Sequence, residues 1–166
     1  MPEKSTIKRK LPLTPSVDEG PYYTPGSPER TATAGTGTYG TKLVVEGRVL
    51  DRNGNPIARA WLDFWQADGR GRYDNEGYNL RGHQYSDKNG RYHLETVRPL
   101  GYMMRAPHVH AKVRATESSP ILTVQLFFPD EKKNATDPIF EKRTVMEVKD
   151  TPDGQKAIID FVVETE

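Results

Sequence analysis

Turns come so often in this chain that a helix of three turns finds no room between them. Its 166 residues include 14 Gly and 13 Pro, about a sixth of the total against a usual ~12%, placed as punctuation between short apolar stretches. KLVVEGRVLD (42–51) alternates, with Leu43, Val45 and Val49 on one face, and runs into Asp51-Arg52-Asn53-Gly54, a hairpin signal. In AWLDFWQA (60–67), Leu62 and Phe64 oppose Trp61 and Trp65, and Asp87-Lys88-Asn89-Gly90 turns the chain into RYHLETV (91–97). HVHAKVRA (108–115), ILTVQLFF (121–128), RTVMEV (143–148) and AIIDFVV (157–163) continue the series, with a single helical turn expected over 138–142. Short strands separated by turn chemistry predict an all-β fold, an antiparallel β-sandwich with long loops.

Residues 1–40 differ. They are poor in aliphatics, and TPSVDEGPYYTPGSPER cannot build a core of its own, so this stretch reads as an extended N-terminal arm before a single sandwich domain over 41–166. Tyr22 and Tyr23, side by side after Gly20-Pro21, indicate that part of the arm packs on something. With 24 Lys and Arg against 23 Asp and Glu, the chain lacks the basic footprint of a nucleic-acid binder. No apolar run approaches the ~18 residues of a spanning helix. The opening MPEKSTIKRKLPLTP is basic without an apolar segment behind it, unlike a signal peptide, and the expectation is a cytoplasmic protein with no membrane partner. Only 34% of the residues are hydrophobic; the small core and an arm able to wrap a neighbour point to a homo-oligomer.

The absence of Cys removes disulfides, zinc–thiolate sites and thiol nucleophiles together. Metal chemistry would fall to His, Tyr, Asp and Glu. His108-Val109-His110 holds two of the four His, and residues two apart on a strand share a face, so both imidazoles can reach one ion. No carboxylate sits at a matching spacing, which leaves Tyr as the supplementary donor. A free phenol has a pKa near ~10 and ligates at neutral pH only where a strongly acidic cation takes its proton. Fe(III) can do so. Two His and two tyrosinates would leave ferric iron a net positive charge and an open position, suited to an anionic chelating oxygen ligand such as a catecholate. Spacing does not separate Tyr73 from Tyr78, which share a Gly-rich loop. Tyr85 and Tyr92 read as core aromatics, His83 and His93 as outlying, and Met103 and Met104 as packing or pocket lining, since hard Fe(III) does not seek thioethers.

From about Thr14 to Asp137 the sequence resembles the intradiol ring-cleaving catechol dioxygenases, with matching blocks in the same order: TPSVDEGPYY, GRVLDRNGNPIARAWLDFWQADGRGRYD, LRGHQYSDKNGRYHLETVRPLGY, RAPHVH and LTVQLFF. The resemblance implies non-haem Fe(III), with Tyr73, Tyr102, His108 and His110 as metal ligands, and the Gly71-Arg72-Tyr73-Asp74 match favours Tyr73 over Tyr78. It implies that a catechol and O2 are the substrates and that a cis,cis-muconate-type diacid is the product. Tyr102 also takes a catalytic role there as the phenolate that substrate displaces. Arg105 matches the arginine that stabilises negative charge developing on the ring, and Gln125 a neighbour of the same ring carbon. Tyr22 and Tyr23 fall where the family's arm lines the substrate pocket. Five residues separate Tyr102 from His108, fewer than is general in the family, which implies a more open pocket. Arg70, Arg72, Arg81 and Lys112 are the cations open to a carboxylated ring. The alternatives are a transthyretin- or prealbumin-like binding module, which shares the GRVLDRNGNPIARA block, and a His-dependent hydrolase without iron.

Overall fold

The structure is a computed structural model and describes residues 9–166; residues 1–8, the start of the expected arm, lie outside the described residues. Nine strands follow in order: β1 (Lys42–Leu50), β2 (Trp61–Gln66), β3 (Arg81–Tyr85), β4 (Arg91–Val97), β5 (His108–Arg114), β6 (Leu122–Phe127), β7 (Glu147–Thr151), β8 (Gly154–Ile158) and β9 (Phe161–Val162). They form a sandwich of two sheets. One has the order β4-β1-β8-β7 with β9 also on β1, and the other the order β3-β2-β5-β6. Their inner faces interdigitate through Leu43, Val45, Leu62, Phe64, Leu94, Val109, Ala111, Val113, Val124, Leu126 and Phe161, all buried. Burial of such side chains contributes about 1.5–3 kcal/mol each.

The four-stranded sheet is antiparallel throughout. The other sheet is mixed, because β8 and β9 both run parallel to β1. AIIDFVV is therefore two strands, not one. The break falls where the Ile159 carbonyl passes over β1, so close that a Cβ on Gly47 would lie 1.8 Å from its oxygen. Ile159 N–H donates to Glu46 O at 3.0 Å and the Asp160 carboxylate accepts from Arg48 N–H at 2.9 Å, which holds the jog in place. RTVMEV also divides: a 3-10 turn over Lys142–Thr144 replaces its first half, and β7 begins at Glu147. The expected helical turn thus sits a few residues later than 138–142.

Residues 9–41 form no strand and run over the sandwich in extended form. Backbone bonds tie Val17 to Thr123 on β6, Arg30 to His83 on β3 and Thr33 to Glu95 on β4. Between these anchors the chain crosses the outer face of the four-stranded sheet. Among the described residues no helix is long and apolar enough to cross a membrane.

Candidate active site

Strand register assembles the first part of the site. Val109, Ala111 and Val113 face the core, so the period of two sends His108 and His110 to the outer face. There, Arg81, Trp65, His110 and Gln125 line up across β3, β2, β5 and β6. The His110 ring lies flat on the Trp65 indole, with centroids 4.5 Å apart, while His108 stands edge-on to it at 4.6 Å. His108 Nδ1 is 2.7 Å from the Ala106 carbonyl oxygen. A carbonyl can only accept, so that nitrogen carries the proton and Nε2 presents its lone pair.

Tyr73 comes from the loop after β2, between two Asp-closed turns. Asp68 accepts from the Arg70 and Arg72 amides at 2.8 and 3.0 Å, and Asp74 accepts from those of Glu76, Gly77 and Asn79 at 2.9–3.1 Å. These Asx turns fold the DGRGRYD stretch back over the sheet. The Tyr73 hydroxyl then lies 2.8 Å from His110 Nε2 and 3.4 Å from His108 Nε2, and the two Nε2 atoms are 3.0 Å apart. Tyr102 completes the group, its ring 5.7 Å from Tyr73 and 6.0 Å from His108. Tyr78 takes no part: its hydroxyl donates to the Pro25 carbonyl at 3.1 Å. Nor do His83, which meets Ser27, and His93, which meets Glu46.

Arg105 follows a tight turn closed by its N–H on the Tyr102 carbonyl at 2.8 Å. Met103 and Met104 form the tip of that turn and are 89% and 66% exposed. They are neither packing nor enclosed lining, and Met103 adopts a positive φ of 51°. The Arg105 guanidinium donates through Nε to Asp137 and through Nη2 to Gln125 Oε1. Of the other cations, Lys112 pairs with Glu19 at 2.7 Å, Arg70 covers the Tyr39 ring, and Arg81 is buried.

Of the two arm tyrosines, Tyr22 stacks on Tyr73 at 4.3 Å and meets the edge of Tyr102 at 6.1 Å. Tyr23 lies against Trp65, and its hydroxyl donates to the buried Asp63 at 2.7 Å, as does that of Ser27. It fastens the arm, and its phenol is committed to Asp63. The carboxylates Asp63, Asp74 and Asp137 are members of the site's framework to which sequence reasoning gave no role, and Arg81, named there as a cation for the substrate, is buried in that framework instead. Only Asp74, in an Asx-turn setting, carried a local signal.

Charge favours ligation by the imidazoles. Burial, with help from the Arg105 cation, lowers the His108 pKa to about 4, and burial together with His108 and Arg105 holds His110 well below its ordinary value. Both are neutral at pH 7. Burial and the facing Tyr102 hydroxyl push Tyr73 upward, so it keeps its proton unless a strong Lewis acid removes it. Among the described residues no three His, Asp, Glu or Cys side chains converge; a metal here needs phenol oxygen. For metal–ligand bonds of about 2.1 Å, donors at right angles lie ~3 Å apart. The Tyr73, His108 and His110 donor atoms have these separations, so they fit one ion.

A two-sheet sandwich with a His₂Tyr₂ cluster on one outer face defines a class, and the comparisons with known proteins agree with it. A family model described as Dioxygenase matches residues 18–162, and the chain belongs to the intradiol ring-cleaving dioxygenases. It is 32% identical over 100 residues to the catechol 1,2-dioxygenase of Acinetobacter baylyi, a match over 54% of this chain and 32% of that one. The chain thus spans only about a third of that relative in the match. The structure of the dioxygenase domain of a dioxygenase–carbohydrate-binding fusion from Streptomyces sp. SirexAA-E superposes with a TM-score of 0.89 at 40% identity, covering 93% of this chain and all of that one. The 3-chlorocatechol 1,2-dioxygenase of Rhodococcus opacus 1CP gives 0.86 at 26% identity, over 92% of this chain and 73% of that one.

Proposed function

We propose that this chain cleaves the ring of a catechol between its two hydroxylated carbons, incorporating both atoms of O2 to give a cis,cis-muconate-type diacid. Tyr73, Tyr102, His108 and His110 would hold the Fe(III) that this chemistry requires. The observation that carries the reading is the triangle of Tyr73 oxygen and two imidazole nitrogens, with both imidazoles neutral. Ferric iron, when bound, supplies the Lewis acidity that binds a catechol as its dianion and activates the ring toward O2.

The protein's own groups do the rest. Tyr102, beside the exposed turn at the mouth, is placed to take up a substrate proton. The Arg105 cation faces the same space and stabilises negative charge that develops on the ring. Gln125 accepts from Arg105 through Oε1, which leaves its buried Nε2 without a partner among the described residues. That amide is a second donor for the same charge. Tyr22, stacked on Tyr73, shields the cluster from water on the arm side.

The test is product analysis after the iron-loaded protein meets a panel of catechols under O2. A muconate-type diacid with one O2 consumed per ring is expected. An extradiol semialdehyde, or binding of catechol without turnover, would overturn the assignment. The loaded protein should also show a broad tyrosinate-to-Fe(III) band that shifts when catechol is added.

A further inference from the structure

Arg105 is aimed by a carboxylate far from it in sequence. Asp137 lies between the 3-10 turns Lys132–Ala135 and Lys142–Thr144, and its side chain is entirely buried. Its two oxygens accept from Arg105 Nε at 3.1 and 3.0 Å, from the Ala106 amide at 2.8 Å and from the Ile139 amide at 2.8 Å. Its own amide donates to Lys133 O at 2.9 Å, so both ends of the residue are fixed.

We propose that Asp137 is a positioning residue for ring cleavage: it sets the direction of the Arg105 guanidinium and, through Ala106, the direction of the His108 imidazole. A guanidinium held at Nε presents its far edge in one orientation. That edge reaches Gln125 Oε1, and the contact orients the Gln125 amide in turn. Ala106 links the second branch. Its N–H donates to Asp137 while its carbonyl accepts from His108 Nδ1 at 2.7 Å. One carboxylate therefore organises a cation and an imidazole of the site, although it touches neither substrate nor metal. The inference rests on the proposed ring cleavage for its kinetic part only.

The experiment is a double-mutant cycle with an independent structural readout. Asp137→Asn keeps the shape and one amide acceptor but removes the charge. It should lower kcat about 10–100-fold, with KM changing less than about threefold. In an Arg105→Ala background the same substitution should lower kcat several-fold less, because one of the two groups it positions is gone and only the His108 branch remains. Equal losses in both backgrounds, or no loss in either, overturn the proposal. The readout that needs no turnover is the Arg105 Nε–H resonance in the protein loaded with diamagnetic Ga(III), assigned by its loss in Arg105→Lys. It should be slowly exchanging in the native protein and lost in Asp137→Asn, and in Asp137→Ala should the first variant fold poorly. A resonance unchanged in a folded variant overturns the proposal. A native protein that cleaves no catechol overturns the functional reading and leaves this second readout to judge Asp137.

Discussion

His108, His110 and Gln125 reach the site from paired strands, whereas Tyr73, Tyr102 and Arg105 reach it from loops, and different forces hold the two groups. On the strands the ladder does the work. His110 sits between Trp65 and Gln125 because β5 is in register with both neighbours, and moving it would cost a sheet. The loops have no ladder, and carboxylates stand in for it. Asp68 and Asp74 gather backbone amides around Tyr73, Asp137 gathers Arg105 and two amides, and Asp63 receives two hydroxyls from the arm that carries Tyr22. The strand half is cooperative with the fold, while the loop half hangs on single residues.

The largest effect is expected from removing a strand-borne donor. His110→Ala should cut Fe(III) affinity by more than about 100-fold and leave the sandwich folded, since that ring lies on the outer face. Metal titration followed by circular dichroism reads both, and retained affinity would exclude His110 as a ligand.

Acid should separate the halves in the metal-free protein. His108 has a folded pKa of about 4 against an ordinary 6.5. Its neutral form is favoured by folding, so its contribution is complete above 6.5 and is lost as pH falls to about 4, a change of roughly 3 kcal/mol. Asp74 and Asp137 are also depressed. For Asp74 the cause is the amides of Gly77, Asn79 and Glu76; for Asp137 the Ile139 and Ala106 amides and Arg105 outweigh the upward push of burial. Their contribution persists to lower pH and fades below the ordinary carboxylate value of 3.8. Denaturant melts across pH should therefore show two stages, the first reduced in His108→Gln, where the buried His110 remains, and absent when both imidazoles are replaced by Gln. A single stage near pH 4 would mean that the imidazoles do not limit stability.

Asp74→Ala comes next. Three amides lose their acceptor, a cost of about 1–3 kcal/mol, and the tyrosinate band of the iron-loaded protein should weaken as Tyr73 loses its place. An unchanged melt together with an unchanged band would show that the loop is held by something else. The smallest effect is expected at Tyr78→Phe. Its hydroxyl meets the Pro25 carbonyl and the residue is 38% exposed, so stability should move within about 0.5 kcal/mol and the band should stay where it is.

Much of the strand half is legible in the sequence. Alternation alone puts His108 and His110 on one face and Val109 and Ala111 on the other, because side-chain direction along a strand is a local property of the backbone. The sandwich and its turns were equally local. The divided strands 154–158 and 161–162 were not, since nothing in AIIDFVV announces that Gly47 leaves space for the Ile159 carbonyl.

What the sequence determined by itself is the sandwich, the shared face of the two imidazoles and, through its ordered blocks, the family. Spacing could not tell Tyr73 from Tyr78; the Gly71-Arg72-Tyr73-Asp74 match favoured Tyr73, and the tertiary structure brings its hydroxyl to the imidazoles while Tyr78 meets Pro25. It also sent neighbouring Tyr22 and Tyr23 to different partners and brought Asp137 to Arg105 across 32 residues. The physical reason is range. Periodicity and turn chemistry act within a few residues, whereas a buried carboxylate finds its donors only after the sheets have closed.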